Sequence, residues 1–406
     1  MLTVETCECL DPVQLISLLA TDEPQLWMRR GFGLAGVGVA LRLEFTGATR
    51  IADAAAAWQH IVDSAMVTDP LGITGTGLIA FGTFAFSESS ALTSVLIVPS
   101  LVVGRSVGRS WLTRISIGEL PPLLIPPLQP FGPQFHVELV PGTLSAAAYR
   151  DLVETAVGDI RNHRLEKVVL ARDLIGQLPA GADVRRVLNE LALGYPDCWT
   201  FAVDGFLGSS PETLVTVSGG LVTARVLAGS AARGTDAASD QIAATALATS
   251  TKDLDEHRFA VQSVLASLNP HSPTVTASEL PFTLRLPNLW HLGSDVEGAL
   301  VDGSTALDLV AALHPTAAVA GTPTATALDY IADVEPFDRG RYAAPVGWIA
   351  ANGDGEWAVA VRSAQVAPDG TVTAYAGAGI VADSVPEREL IETRLKFRPI
   401  IEAFRQ

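Results

Sequence analysis

The strand-like stretches of this chain come in pairs joined by tight turns, and that pairing limits the folds open to it. Ser218, Gly219 and Gly220 separate residues 212–217 from 221–227, and residues 352–355 separate 346–351 from 357–366. Pro368, Asp369 and Gly370 lead into a further run over 371–380. Gly and Asn at such places allow the backbone to reverse within a few residues. Strands joined so closely must be antiparallel, because a parallel pair needs a crossover of about a dozen residues or more. Other strand-like runs cover 167–174, 199–204 and 289–300. Helical spacing covers 145–162, with Ser145 as N-cap, and then 182–193, 237–249, 253–268, 305–313, 324–332 and 386–404. Helices and strands do not alternate regularly. The spacing therefore predicts an α+β fold with antiparallel sheets.

The composition changes near Pro141. Before it, segments are short, apolar and rich in Gly and Pro, and the six prolines of residues 120–134 read as an extended connection. At 48% hydrophobic and 17% charged, the 406 residues can bury a large core and do not describe a disordered chain. We expect one domain over 1–406, divergent over 1–140 and carrying its chemistry over 145–405. A net charge of −17 opposes binding to nucleic acid. The best apolar run, residues 94–104, is too short for a membrane span and is broken by Pro99. No signal-peptide pattern is read, so the expected compartment is the cytoplasm. Cys7, Cys9 and Cys198 cannot build a disulfide framework, and Cys7 with Cys9 lacks a partner cluster for a metal.

Only three of the 27 cationic residues are lysines: Lys167, Lys252 and Lys396. Genomic composition bias explains the arginine excess without explaining why these three remain. Two phosphate-binding patterns fail. Gly31, Gly33 and Gly36 match GxGxxG, but residues 37–43 read as a strand where a helix N-terminus is needed. A P-loop needs its lysine after a glycine, whereas these lysines follow Glu166, Thr251 and Leu395. HExxH does not occur.

Other motifs survive. Lys167 opens KVVLAR, and Glu212 lies in SSPETLV. Ala228, Gly229 and Ser230 lie in VLAGSAARG, and Lys252, Asp253, Glu256 and His257 in TKDLDEH. His291 lies in PNLWHL, His314 starts HPTAAVAGTP, Arg362 sits in the strand-like AVAVRSA, and Gly377 and Gly379 lie in AGAGIV. Glu389, Glu392 and Lys396 stand at i, i+3 and i+7 and share a helix face. Two helices that each offer a carboxylate could share a hard cation such as magnesium. Spacing alone favours the plainer reading, ordinary surface pairs.

Together, in this order, the motifs resemble the chorismate-utilising enzymes: isochorismate and salicylate synthases, and the large subunits of anthranilate and aminodeoxychorismate synthases. The resemblance is strong over 145–404 and weak before residue 140. It implies two antiparallel sheets packed face to face with helices outside. It implies chorismate as a small-molecule substrate, with Mg²⁺ holding one of its carboxylates. Glu256 and Glu392 would be the metal ligands, supported by Asp253 and Glu389. Arg362 and Lys396 would face substrate carboxylates, helped by backbone N–H groups near Gly377 and Gly379. Ala228, Gly229 and Ser230 would line the same pocket, His291 and His314 would shape it, and Lys252 would flank the metal-binding helix face.

Within that family the resemblance favours an isochorismate synthase. Aminodeoxychorismate synthases carry a lysine where this chain has Ala228. Anthranilate synthases lack the lysine matched by Lys167, and the LLES signature of those inhibited by tryptophan is not found. No glutaminase subunit is therefore expected, and the chain is expected to act as a monomer or weak dimer. Water-using members keep the lysine as a base, since an ammonium in a poorly hydrated site can release its proton and a guanidinium cannot. Lys167 would activate water to attack carbon 2, and Glu212 would protonate the hydroxyl leaving carbon 4. Salicylate synthases usually have Thr where this chain has Ala318, which favours isochorismate as the end product. Tyr342 matches a tyrosine frequent in salicylate synthases, which remain the alternative. A catalytically silent chorismate-binding protein is a remoter one.

Overall fold

The hairpins signalled by the turn residues assemble into two sheets. A computed structural model describes residues 1–10, 14–123 and 127–405, the side chain of Lys252 excepted. Gly219 and Gly220 both take positive φ, 57° and 80°, and close Thr213–Ser218 onto Leu221–Ala232. That is the backbone of a two-residue hairpin turn. Among the described residues one sheet has 13 strands and the other 10. The pairings are antiparallel, with Leu2–Glu8 beside Met66–Thr68 the parallel exception.

Both sheets run across the Pro141 boundary. In the larger, Gln25–Arg29 pairs with Trp199–Val203; in the smaller, Ile79–Thr83 pairs with Pro345–Ala350. Their inner faces meet in one apolar core. Trp27, Leu34, Phe201 and Phe206 come from the larger sheet, and Phe81, Val215, Trp348 and Trp357 from the smaller. Leu34 faces this core while Ala35 faces the outer helices, the period of two that a strand imposes. One carboxylate joins the layers. Glu356 accepts hydrogen bonds from Trp27 Nε1 at 2.8 Å and Trp348 Nε1 at 3.2 Å. Burial pushes its carboxyl above the usual range, and the two indoles act against that shift.

Helices cover the outside. Arg185–Gly194 and Pro386–Ala403 bury Val187, Leu188, Leu191, Phe397 and Ile400 against the outer face of the larger sheet. Thr251–Leu268 packs on Leu221–Ala232 of the smaller. Pro386 opens its helix at a position where a missing N–H costs nothing, and Glu387 and Glu389 complement the positive end of the helix dipole. Ser250 caps the helix Thr251–Leu268 through Asp253 N. No helix among the described residues is long and apolar enough to cross a membrane.

Several elements differ from the sequence reading. The run over 357–366 is two strands, Gly355–Val359 and Ser363–Val366. Arg362, placed within a strand by sequence, has φ 54° and breaks the pairing there. The strand from Leu221 continues to Ala232, beyond residue 227, because it carries a bulge. The helix expected from residue 182 starts at Arg185, because Asp183 holds the preceding turn through Gly132 N and the Arg185 guanidinium. The helix Arg50–Ser64 and the strand Phe206–Ser210 were not read from sequence. Of the proline-rich connection, residues 124–126 lie outside the described residues.

Replacing Glu356 by Ala leaves two buried indole N–H groups without their acceptor. We expect a loss of about 1–3 kcal/mol in urea unfolding, with Glu356→Gln recovering most of it. Equal stability of the two variants would contradict the assigned role.

Candidate active site

A cavity of about 330 Å³ opens between the two layers at the ends of these strands. Lys167, Glu212, Ala228, Gly229, Ser230, Asp253, Glu256, His291, Ala318, Tyr342, Arg362, Gly377, Gly379, Glu389, Glu392 and Lys396 all line it. The segments that supply them are far apart in the chain, and the fold brings them to one wall-to-wall space.

Each wall has a local cause. Lys167 begins the strand Lys167–Gln177, which pairs with Thr371–Ile380. Its Nζ donates to Glu256 Oε1 at 2.6 Å, across from the larger sheet to the helix Thr251–Leu268. Gly379 makes room for this contact: a Cβ there would lie 3.0 Å from Lys167 Cε and 3.4 Å from Glu256 Oε1. Gly377, two residues earlier on the same face, would crowd the Tyr342 hydroxyl at 3.3 Å. Its carbonyl accepts from Lys396 Nζ at 2.8 Å. Lys396 also pairs with Glu392 Oε1 at 2.6 Å, one helical turn away.

The opposite wall depends on the bulge. Leu227 faces Gly293 and Ser230 faces His291, so one extra residue is accommodated between them. Gly229 takes φ 80° there, a conformation that favours glycine. The bulge turns the Ala228 carbonyl toward His257, whose Nδ1 lies 3.2 Å away, while His257 Nε2 meets Ser294 Oγ at 2.9 Å. His257 therefore fixes the helix that presents its neighbour Glu256. Arg362, thrown out of its strand by the positive φ, is buried against His291, with Nη2 3.4 Å from Nε2. Burial, then Arg362 and Lys396, push His291 down to about 3, so it is a neutral acceptor.

Glu212 stands just before Thr213–Ser218 of the smaller sheet. It lines the cavity, and burial pushes its carboxyl up to about 7 against the pull of Arg362, Lys396 and Lys167. A carboxyl held there is substantially protonated near neutral pH and can give a proton away.

The charges nearly cancel. Lys167, Arg362, Arg388 and Lys396 face Glu212, Asp253, Glu256, Glu389 and Glu392. With Glu212 protonated that is four of each sign, so a dianionic ligand needs further positive charge. The donor set is all carboxylate oxygen, which suits a hard divalent cation. Among the described residues no three His, Cys, Asp or Glu side chains converge on one point. Magnesium does not require that, since it keeps waters and substrate oxygens beside one or two carboxylates.

Two residues fall elsewhere. His314, expected to shape the pocket, ends the helix Ala306–Leu313 and points away, with Nε2 3.1 Å from the Phe86 carbonyl and its ring edge-on to Phe86. Burial pushes it down to about 4, the signature of a neutral structural histidine. The side chain of Lys252 lies outside the described residues. Sequence reasoning missed Arg388, Val169, Val361, Pro211, Leu227 and Val319 in the lining. Arg388 precedes Glu392 by four residues, and Val169 follows Lys167 by two, so helix and strand periods carried both signals.

The raised Glu212 carboxyl has a stability consequence. Between its usual 4.5 and about 7 the unfolded chain releases this proton while the folded chain keeps it, so stability is lost as pH rises through that window. Glu212→Gln is expected to raise the thermal midpoint at pH 8 by roughly 1–3 °C and leave it unchanged near pH 4. An identical effect at both pH values would refute the raised carboxyl.

Comparison with known proteins agrees with this geometry. The isochorismate synthase DhbC of Bacillus subtilis is 41% identical over 287 residues, spanning 68% of this chain and 71% of that protein. The menaquinone-specific isochorismate synthase MenF of Escherichia coli superposes with a TM-score of 0.82 at 25% identity, covering 100% of this chain and 95% of its own. Anthranilate synthase component I of Streptococcus pneumoniae shares the fold, with a TM-score of 0.73 at 22% identity, covering 91% of each chain. Residues 1–117 and 134–405 match the chorismate binding enzyme family, and the chain belongs to it.

Proposed function

We propose that this chain is an isochorismate synthase, an isomerase that converts chorismate to isochorismate. The observation that carries the proposal is the pair Lys167 and Glu212 in one closed, charge-balanced cavity. The lysine comes from the larger sheet and the protonatable carboxyl from the start of an inner strand of the smaller. Relatives named isochorismate synthase support it.

Lys167 takes a proton from water as the water oxygen bonds to carbon 2. The ring double bonds shift, and the hydroxyl on carbon 4 leaves with the proton of Glu212. A water enters and a water leaves, so the reaction is an isomerisation. Arg362 and Lys396 bind substrate carboxylates, and neutral His291 holds the Arg362 guanidinium in place. Ala228, Gly229, Ser230, Ala318 and Tyr342 bound the ring, and Gly377 and Gly379 keep the sheet wall free of side chains. A magnesium ion held by Glu256 and Glu392, with Asp253 and Glu389 beside them, would neutralise and orient one substrate carboxylate. The enzyme works without a glutaminase subunit, as a monomer or weak dimer in the cytoplasm. Its product feeds siderophore, salicylate or menaquinone synthesis.

Incubation with chorismate and Mg²⁺, followed by chromatography, should yield isochorismate. Lys167→Ala should abolish it, and full activity in that variant would sink the proposal. The alternative end product is salicylate, favoured by Tyr342 in the wall; fluorescent salicylate with stoichiometric pyruvate would select it. Arg388 lines the cavity mouth and makes no side-chain ion pair or hydrogen bond among the described residues. Arg388→Ala should raise KM for chorismate about fivefold with kcat nearly unchanged, and flatten the salt dependence of kcat/KM. The kcat/KM profile should fall on the alkaline side with an apparent pKa near 7, as Glu212 loses its proton.

A further inference from the structure

A second cavity, of about 280 Å³, is lined by the same lysine. The two cavities have only Lys167 and Glu256 in common among their lining residues, so they adjoin at this ion pair. The remaining walls are mostly apolar: Phe259 and Ala260 from the helix, Ala317, and Val381 with Ala382. Glu166 and Asp383, both exposed, stand at its rim.

This arrangement answers a problem posed by the proposed reaction, on which the inference rests. Chorismate fills the first cavity, and Lys167 must then meet a water that has not passed the substrate. An apolar passage with room for several waters holds none of them strongly, and Lys167 is part of its lining. We propose that the second cavity is the port through which water reaches Lys167 while chorismate occupies the first. In the step it serves, the water oxygen bonds to carbon 2 and its proton passes to Lys167 Nζ. The carbon 4 hydroxyl departs on the substrate side as water, with the proton of Glu212.

Apart from Lys167 and Glu256, the port's lining residues do not line the first cavity, so narrowing it there should slow turnover and spare binding. Ala382→Trp and Thr322→Phe fill it from two different walls, both at partly exposed positions. With Mg²⁺ present, each is expected to lower kcat about tenfold or more while KM and the calorimetric chorismate affinity stay within about twofold. Ala382→Ser should turn over like the parent chain. Parent kcat in both bulky variants would overturn the port. So would a loss of chorismate affinity in step with kcat, which would make this space part of the substrate site. Either result leaves isochorismate formation by the parent chain intact, and only the absence of that product reaches the proposed function itself.

Discussion

Lys167 starts a strand of the larger sheet, and Glu256 sits on a helix packed against the smaller, so their ion pair ties the two layers together at the cavity. Opposite charges brought this close, with little water around them, depend on each other, and removing either leaves the other poorly solvated. Much of the surrounding architecture serves that contact. Gly379 has no side chain because the lysine stem passes there. The bulge at Ala228 and Gly229 turns a carbonyl toward His257, which sets the helix that carries Glu256. The same pair lines both cavities.

The second constraint is charge. A chain of net charge −17 is a poor host for a dianion. The cavity resolves this locally, since its four cations balance its carboxylates once Glu212 keeps its proton. Added positive charge then favours the substrate directly. Burial does two opposite jobs within one cavity. It keeps a proton on Glu212, and it strips one from His291 so that Arg362 has a neutral neighbour. The scarcity of lysine also acquires a physical reading. Lys167 and Lys396, two of the three lysines, line the cavity where a compact or ionisable cation is used, while Arg362 and Arg388 supply fixed charge.

Much of this was legible in the residues. Ser145 caps its helix by accepting from Ala148 N, and the Gly219–Gly220 turn closes its hairpin. The i, i+3, i+7 set Glu389, Glu392 and Lys396 shares the cavity-facing side of one helix. What sequence could not supply was long-range. Nothing local says that Gln25–Arg29 pairs with Trp199–Val203, or that Glu356 receives an indole from the other sheet. Arg362 lies in an apolar, alternating run that argues for a continuous strand, and only the packed cavity explains its positive φ. His314 misled for the converse reason. Its motif belongs to the site, but its ring turns to the Phe86 carbonyl. Arg388 and Val169 were within reach of simple periodicity.

The central claim is that a solvent water, activated by Lys167, becomes the new hydroxyl on carbon 2. Turnover in ¹⁸O-enriched water, read by mass spectrometry of isochorismate, tests it most directly. The account predicts one ¹⁸O per product molecule, located on carbon 2, and no product from Lys167→Arg, which keeps the charge and loses the base. Unlabelled isochorismate, or labelled product from Lys167→Arg at the parent rate, would contradict it.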